Sequence, residues 1–294
     1  MKFYSPLRYP GGKSRLTPFV KLLIKKAGRE GSTYIEPFAD GTGVALALLL
    51  EGTVERIVVN DYDKAIYSVW RAIKNEPSKL IKLINETPID INEWQRQRAI
   101  YNNSKCYSVS LAFATLFLNR VNRSGIITGG PIGGFAQDGR WSLDARFNKA
   151  AIIERVNDIS KKRSAIKVYN QDIICLLDAY MEQFGDEAFA YFDPPYYNKA
   201  KKLYKNFLSH DDHARIADRI LNRVECPWVL TDDDVPEIRK LYWHKGIKQF
   251  DLIYSAANKG KASEIIVCSS QDICPSTEEI NGYDFNLNMR EWEA

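Results

Sequence analysis

Residues 36–43 have the sequence Glu36-Pro37-Phe38-Ala39-Asp40-Gly41-Thr42-Gly43 and lie where a predicted strand turns into a predicted helix. The glycines let a ligand approach the backbone, and the helix N-terminus adds partial positive charge. Asp61 follows the next predicted strand, eighteen residues beyond Gly43, where a carboxylate can accept both hydroxyls of a ribose. This spacing predicts an adenosine-binding site, with a purely structural tight turn as the alternative. Leu46 replaces the third glycine of an NAD-type fingerprint, which weakens a dehydrogenase interpretation.

Short apolar runs alternate with helical patterns around this turn, as is typical of a mostly parallel sheet covered by helices. The predicted strands are Thr33–Glu36, Arg56–Asn60, Ala165–Tyr169, Ala188–Phe192, Trp228–Thr231, Ile247–Tyr254 and Glu264–Ser269. Helical periodicity follows most of them, at Thr42–Leu50, Asp63–Lys74, Gln171–Gln183 and Asp211–Val224. We therefore predict an α/β fold, Rossmann-like, with a mixed central sheet.

The alternation is interrupted between about residues 74 and 161. Three helical patterns there are followed by a glycine-rich stretch, in which Asp138-Gly139 favours a type I′ hairpin turn. A long disordered loop is the alternative to a hairpin. We predict a catalytic domain made of residues 1–73 and 162–294, and an inserted, mainly helical subdomain at residues 74–161 with a hairpin near residues 126–145.

A second motif, Asp193-Pro194-Pro195-Tyr196, directly follows the predicted strand Ala188–Phe192. An exocyclic amine such as N6 of adenine is a poor nucleophile because its lone pair is delocalised into the ring. Hydrogen bonds from its two N–H groups to the Asp193 carboxylate and the Pro194 carbonyl would draw the nitrogen towards sp³ geometry. The lone pair would then be available to attack a sulfonium methyl group, with Tyr196 stacked on the base. An ordinary turn at a strand end is the alternative.

Composition and charge narrow the class of protein. The chain has 294 residues, 45% apolar and 27% charged, with a net charge of +4, which is typical of a soluble globular protein. Ten Lys/Arg against four Asp/Glu between Asn119 and Lys167 indicate a phosphate-contacting surface, or else a solvated face. No apolar run is long enough for a membrane span and the N-terminus does not resemble a signal peptide, so we expect a cytoplasmic protein without a membrane partner. Five cysteines without a CxxC pair indicate reduced thiols.

Two weaker motifs suggest other sites. The segment Arg8–Ser14 superficially matches a phosphate-binding loop, but Leu7 stands where the first glycine would fall. Lys13 is a better candidate for binding the carboxylate of a ligand. His210 and His213 have a spacing that could hold a metal, but the sequence from Ser209 favours a helix N-cap. We expect no metal.

With these motifs in this order, the sequence resembles DNA adenine-N6 methyltransferases of the Dam type over nearly its whole length. The opening Pro6-Leu7-Arg8-Tyr9-Pro10-Gly11-Gly12-Lys13 is similar to the family's N-terminal cofactor motif. The resemblance implies S-adenosyl-L-methionine as methyl donor and an adenine flipped out of duplex DNA as substrate. It implies that Asp193, Pro194 and Tyr196 are catalytic. It implies cofactor-binding roles for Tyr9, Lys13, Glu36, Phe38, Gly41, Gly43, Asp61, Asp172 and Asp193.

The segments Leu118–Gly125 and Arg146–Asn148 resemble parts of the family's target-recognition region, whereas Ile126–Ala145 departs from its hairpin. The recognition sequence is therefore not transferred. Phe135 and Trp141 either enter the space left by the flipped base or pack against helices of the insert. The expected DNA-binding residues are Asn119, Arg120, Asn122, Arg123, Phe135, Arg140 and Trp141.

Several alternatives stay open at this point. N4-cytosine methylation uses the same geometry, although the aspartate of Asp193–Tyr196, where many cytosine enzymes have serine, favours adenine. A catalytically silent nucleic-acid-binding relative and an enzyme acting on structural RNA are further alternatives. The sequence also leaves open whether a cognate restriction endonuclease or other defence component accompanies the chain, and whether the chain is a monomer or a weak dimer.

Overall fold

A computed structural model describes residues 2–8, 13–197, 208–245, 247–252, 262–276, 278–279 and 288–291. Two compact units can be distinguished in it. The first comprises Met1–Ser14, Ala39–Glu51 and Val59–Asn170, and the second comprises Arg15–Phe38, Gly52–Val58 and Gln171–Ala294. The proposed insert at residues 74–161 belongs to the first unit, and its independence as a subdomain stays a prediction.

The strands form one mixed sheet, as expected. They are β1 (Thr33–Glu36), β2 (Arg56–Asn60), β3 (Ile166–Tyr169), β4 (Ala188–Phe192), β5 (Trp228–Asp233), β6 (Ile247–Leu252), β7 (Ala262–Cys268) and β8 (Asn288–Glu291). Their order is β3-β2-β1-β4-β5-β7-β6-β8. The pairs β1–β4 and β4–β5 are parallel, and β5–β7, β6–β7 and β6–β8 are antiparallel. The last predicted runs thus form the antiparallel end of the sheet, whereas β8 was not predicted.

Burial explains why the central strands read as continuous apolar runs. All five residues of β4 and all six of β5 are buried, as expected for strands covered on both faces. The register sets Tyr191 beside Val229 and Phe192 beside Leu230. The apolar run of β5 ends in Asp232 and Asp233, which are also buried. Acidic side chains are therefore concentrated at the carboxyl end of this strand.

The helices are α1 (Thr17–Lys26), α2 (Gly43–Leu50), α3 (Lys64–Asn75), α4 (Pro77–Glu86), α5 (Ile91–Asn103), α6 (Val109–Val121), α7 (Lys149–Lys161), α8 (Ile173–Ala179), α9 (His210–Arg223) and α10 (Pro236–Leu241). Side-chain caps begin many of them, because a short polar side chain can accept from the otherwise unpaired first N–H groups. The capping residues are Asp63, Asp90, Ser108, Asn148, Asp172 and Ser209. In the described part of the chain, no helix is long and apolar enough to cross a membrane.

Each unit has its own packing. In the first, α6 packs against α3 and α5, and α7 packs against α3 and α4. Helix α6 is buried from Leu111 to Asn119, so it forms the centre of this helical unit. In the second, α9 packs against α8.

The predicted hairpin near residues 126–145 is wrong. This segment contains turns and one short 3₁₀ helix, and its only ladder contact is an isolated bridge between Asn122 and Pro131. A type I′ turn needs positive φ at both central residues, but the only non-glycine residue with positive φ in the segment is Gln137, at 54°. The Gln137 side chain donates to the carbonyls of Ile132 and Gly134 and accepts from the N–H of Leu143. These bonds replace the ladder of a hairpin with a compact loop.

A buried asparagine fixes the chain beside α6. Asn119 is fully buried, and its Oδ1 accepts from the backbone N–H of Arg8 at 2.7 Å. Its Nδ2 donates to the carbonyls of Arg8 and Gly125, at 2.7 and 2.9 Å. At Gly125, φ is +77° and a Cβ would lie 2.5 Å from the Arg8 carbonyl oxygen, so only glycine fits there.

We predict that Asn119→Ala lowers the free energy of unfolding by roughly 2–4 kcal/mol, because three backbone groups lose their partner in a buried place. Urea denaturation followed by circular dichroism measures this. Asn102→Ala, at an exposed position of α5, is the matched control and should be close to neutral. Equal stability of the two variants would contradict the role given to Asn119.

Candidate active site

The glycine turn of the first unit is held to the end of β2. The N–H of Ala39 donates to the carbonyl of Asn60 at 2.9 Å. Asp40 and Thr42 both have positive φ, 41° and 51°, a conformation that costs energy for non-glycine residues and is often found at functional sites. A Cβ at Gly43 would overlap the hydroxyl of Ser14. The turn is therefore a tightly specified structure rather than a loose connection.

Asp61 has the geometry expected of a ribose-binding acid. Its Oδ2 accepts from the N–H of Asp40 at 3.1 Å and its Oδ1 from the N–H of Asp63 at 2.8 Å. A carboxylate has about four acceptor positions, so each oxygen can accept one more bond. Burial, followed by the negative charge of Asp40, raises the pKa of Asp61 well above its ordinary value. The turn and this carboxylate thus form one hydrogen-bonded unit.

The sequence analysis missed the residue next to Asp61. Tyr62 is 63% exposed, although large aromatic side chains are usually covered. The Nδ2 of Asn170 donates to the carbonyls of Asp61 and Tyr62, at 2.7 and 3.0 Å, and thereby fixes the backbone of both. An aromatic residue directly after the acid was the signal that could have identified it.

In the second unit, the carboxyl ends of β4 and β5 bring the catalytic candidates together with buried acids. The Asp193 Oδ1 accepts from the hydroxyl of Thr231 at 2.8 Å. Pro194 is buried, and Tyr196 is buried with its hydroxyl donating to Oε2 of Glu264 at 2.8 Å. Burial raises the pKa of Asp232 well above its ordinary value. The motif is therefore anchored through its side chains as well as through its prolines.

The other residues expected to bind the cofactor are described by the structure to different extents. Tyr9 lies outside the described residues, and for Lys13 only the backbone, in a short 3₁₀ helix, is described. Glu36 is buried at the end of β1 and Phe38 is half-buried, both in the second unit. Asp172 is exposed, and its side chain caps α8 by accepting from the N–H of Ile174 at 2.9 Å.

Two of the expected DNA-binding residues are structural instead. Asn119 is buried in the contacts described above. Asn122 is also fully buried: its Oδ1 accepts from the Trp94 indole at 2.7 Å, and its Nδ2 donates to the carbonyls of Ile126 and Ile127. Their amide groups are used by the protein itself, so direct contact of these side chains with DNA is a wrong prediction.

The remaining candidates lie at the surface of the first unit. Phe135 and Trp141 are 62% and 58% exposed. Phe135 packs edge-on against Trp94 with a centroid distance of 5.2 Å, and the Arg140 guanidinium lies 5.3 Å from the Trp141 ring centroid. Arg123 and Arg140 are exposed. Exposed aromatic and cationic side chains of this kind are suited to nucleic-acid contact.

Arg120, which was expected to bind DNA, belongs to an arginine cluster whose membership sequence patterns did not predict. We use this name for Arg8, Arg120, Arg146 and Arg155, all in the first unit. Burial and then the charges of Arg155, Arg8 and Arg146 lower the pKa of Arg120 to about 10. The Nε of Arg120 and one Nη of Arg8 are buried without a hydrogen-bond partner among the described residues. Four separate segments contribute these residues, so spacing along the sequence does not reveal them.

The segment that carries His210 and His213 begins with a helix N-cap, as expected. Ser209 and Asp212 make a capping box at the start of α9. His213 is buried with its Nδ1 3.7 Å from Asp232, and burial lowers its pKa to about 4. Among the described residues, no group of three or more His, Cys, Asp or Glu side chains is placed to hold a metal.

A family model for D12 class N6 adenine-specific DNA methyltransferases matches residues 9–256, which is most of the chain. The chain belongs to this family. It is an adenine-specific DNA methyltransferase, and the base is adenine rather than cytosine. Membership implies S-adenosylmethionine as the methyl donor.

The chain is similar to a relative by sequence and to solved structures by fold. It is 24% identical over 281 residues to the Type II methyltransferase M1.LlaDCHI of Lactococcus lactis subsp. cremoris, covering 88% of this chain and 93% of that protein. Similar solved structures include the rRNA methyltransferase aviRa from Streptomyces viridochromogenes (13% identity, 90% and 88% coverage, TM-score 0.39). Another is an rRNA methylase from Streptococcus thermophilus (11% identity, 85% and 94% coverage, TM-score 0.34). Both TM-scores are too low to support an inference about this enzyme.

We predict that the affinity for S-adenosylhomocysteine falls as the pH is lowered from about 8 to about 5. Because burial and the charge of Asp40 raise the pKa of Asp61, this carboxylate is protonated at a higher pH than an ordinary aspartate, and the neutral acid is a weaker acceptor for ribose hydroxyls. Titration calorimetry should show a fall of roughly tenfold for the parent. Asp61→Asn should bind weakly with a flat profile, and Asp40→Asn should move the fall to lower pH by removing the neighbouring charge. A parent profile as flat as that of Asp61→Asn would exclude this role of Asp61.

Proposed function

We propose that this enzyme transfers the methyl group of S-adenosylmethionine to N6 of an adenine flipped out of duplex DNA, and that Asp193, Pro194 and Tyr196 act on that adenine. The observation that carries the proposal is the Asp193 carboxylate at the end of β4, whose Oδ1 is held by Thr231 at 2.8 Å. A carboxylate oriented before the substrate arrives needs no reorganisation during the reaction, which favours catalysis.

Asp193 would act by accepting hydrogen bonds rather than by removing a proton first. Its carboxylate and the Pro194 carbonyl would accept the two N–H groups of the adenine amine. The amine nitrogen would then regain a localised lone pair, form the N–CH₃ bond and release a proton to water. Tyr196 would offer a ring face to the base while its hydroxyl stays bound to Glu264. The flipped adenine would thus bind to groups that the protein already holds in place.

The first-unit residues around Asp61 fit an adenosine group. Asp61 retains acceptor capacity on both oxygens, and the exposed ring of Tyr62 is suited to stack on adenine. When bound, S-adenosylmethionine supplies a methyl group on a cationic sulfur, which leaves as a neutral thioether. Family resemblance adds further cofactor-binding candidates, namely Tyr9, Lys13, Glu36, Phe38, Gly41, Gly43, Asp172 and Asp193.

DNA contact would divide between two surfaces of the first unit. The exposed Arg123, Arg140, Phe135 and Trp141 would approach the bases or the space left by the flipped adenine. The arginine cluster would bind phosphates, because buried guanidinium groups that repel one another are stabilised by an anion. Phe135 would be the less mobile of the two aromatic residues, since it packs on Trp94.

Biological context is proposed from the relative. That protein is called a Type II methyltransferase, so we propose that this enzyme modifies the sites of a restriction–modification system. Its partner would then be a cognate restriction endonuclease or other defence component, in the cytoplasm. We propose a monomer or weak dimer as the active form.

We predict that Asp193→Ala and Asp61→Ala separate chemistry from cofactor binding. Asp193→Ala should abolish transfer of labelled methyl groups to DNA and lower the affinity for S-adenosylhomocysteine much less than Asp61→Ala does. Asp61→Ala should weaken that affinity by roughly 10- to 100-fold for each ribose hydrogen bond that is lost, because hydrogen bonds to a charged acceptor contribute about 1.5–3 kcal/mol each. Calorimetry and a filter-binding methylation assay measure the two effects. An equal loss of affinity in both variants would contradict the assignment.

A further prediction concerns the arginine cluster. Arg120→Met removes a half-buried, repelled charge and keeps the apolar stem, so the melting temperature should rise or stay unchanged. The affinity for duplex DNA should fall, and the slope of log affinity against log salt should decrease by about one unit. Affinity for S-adenosylhomocysteine should stay at the parental value.

Arg223→Ala, at the exposed last turn of α9, is the control for general loss of positive charge. The methylated sites should first be mapped by single-molecule sequencing of DNA from a host without adenine methylation. Substituted duplexes then show whether Arg123→Ala relaxes one base pair, as loss of a base contact would, at a cost of about 1–3 kcal/mol. A destabilised Arg120→Met variant with parental DNA affinity would make Arg120 structural.

A further inference from the structure

Two hydroxyl side chains inside the sheet form a hydrogen-bonded chain that ends at Asp193. The hydroxyl of Tyr191 lies 2.9 Å from Oγ1 of Thr231, and that Oγ1 donates to Oδ1 of Asp193 at 2.8 Å. Tyr191 and Thr231 are each 1% exposed.

The sheet register explains how this chain forms. Tyr191 and Asp193 are two residues apart, so their side chains leave the same face at the end of β4. The parallel pairing of Phe192 with Leu230 brings Thr231 alongside Asp193 on the next strand. Thr231 therefore stands beside both partners because of its position, and a one-residue shift in β5 would turn its hydroxyl to the other face.

The direction of the two bonds is set by the number of protons. A threonine hydroxyl has a single proton, and the bond to the Asp193 carboxylate uses it. The Thr231 oxygen must then accept from Tyr191. Burial, and then the charge of Asp193, raise the pKa of Tyr191 well above its ordinary value, so the phenol keeps the proton that it donates. The chain thus points one way, from the phenol to the carboxylate.

We propose that Thr231, supported by Tyr191, is the positioning residue of the methyl transfer: it fixes the rotation of the Asp193 carboxylate and keeps that group a charged acceptor for the adenine amine. This inference rests on the proposed role of Asp193. Free rotation of the carboxylate would misplace the acceptor, and small displacements of reacting groups are costly to turnover. The hydroxyl pair holds the acceptor in place before any substrate binds.

The surroundings of Asp193 make such donors necessary. Acidic and phenolic groups from three other strands interact with it or with Tyr191 and disfavour a further negative charge; they are Tyr34 and Glu36 on β1, Asp232 on β5 and Glu264 on β7. A protonated Asp193 would lose the charge that polarises the amine. Hydrogen bonds donated to a carboxylate favour its charged form. Thr231 therefore opposes the electrostatic effect of its neighbours.

Thr231→Val tests the proposal because it removes the hydroxyl and keeps the shape. We expect kcat to fall by roughly 10- to 100-fold, the loss of one hydrogen bond to a charged group. The KM for DNA and the affinity for S-adenosylhomocysteine should stay at parental values. The acid limb of the kcat profile should move to higher pH, since a carboxylate that loses a donor holds its proton more tightly. Thr231→Ser should restore kcat and the profile, and Tyr191→Phe should give a smaller change in the same direction.

Thr115→Val is the matched control: Thr115 is fully buried on α6 and its hydroxyl donates to the Leu111 carbonyl, so activity should be parental. A parental kcat and pH profile in Thr231→Val, with Asp193→Ala inactive, would overturn this inference and leave the proposed function standing. An active Asp193→Ala would instead overturn the proposed function. If Thr231→Val does not fold, Tyr191→Phe becomes the test. Parental kinetics of Tyr191→Phe would then overturn the inference.

Discussion

Burial of negative charge at the carboxyl ends of β4 and β5 is the constraint on which the catalytic half of this enzyme depends. Asp232, Asp233 and Glu264 are each at most 4% exposed, and burying a carboxylate is costly unless it is hydrogen-bonded or protonated. The Tyr196 hydroxyl donates to Glu264 and the backbone N–H of Asp233 donates to Asp232, while the Thr231 hydroxyl donates to the half-buried Asp193. The bonds made by Tyr196 and Thr231 also fix the side chains that would address adenine.

In the first unit, the groups that must be buried are positively charged side chains and irregular backbone. Asn119 satisfies three backbone groups of two separated segments, and Asn122 satisfies two carbonyls and an indole. These amides pair backbone groups of Arg8, Gly125, Ile126 and Ile127. The Nε of Arg120 and one Nη of Arg8 have no hydrogen-bond partner among the described residues. The two asparagines thus serve the backbone of this part of the unit, whereas guanidinium donors of the arginines stay available for an anion.

The strands were predicted well because short apolar runs of residues that favour strands, bounded by turns, seldom form other structures. The glycine turn and the Asp193–Tyr196 motif lie at strand ends, as expected. Asp61 and Asp193 lie at the expected strand ends because local spacing determines their places. The predicted hairpin does not form, because the Gln137 side chain bonds three backbone groups of the segment. The turn preference of the dipeptide Asp138-Gly139 gives no sign of these bonds. The arginine cluster and the Tyr191–Thr231 pair depend on contacts between distant segments or on strand register, which local patterns do not encode.

The roles of asparagine and arginine in the segment Leu118–Gly125 show how burial separates scaffold from site. An amide has two acceptor and two donor positions, which match the backbone groups available inside a protein. A guanidinium has five donors and no acceptor, so several carbonyls, a carboxylate or an outside anion are needed to occupy all of its donors. Burial and the charges of three other arginines lower the pKa of Arg120, so its charged form is disfavoured there. We propose that a DNA phosphate relieves this repulsion, and the same short segment would then combine the buried scaffold contacts of the asparagines with an anion-binding arginine.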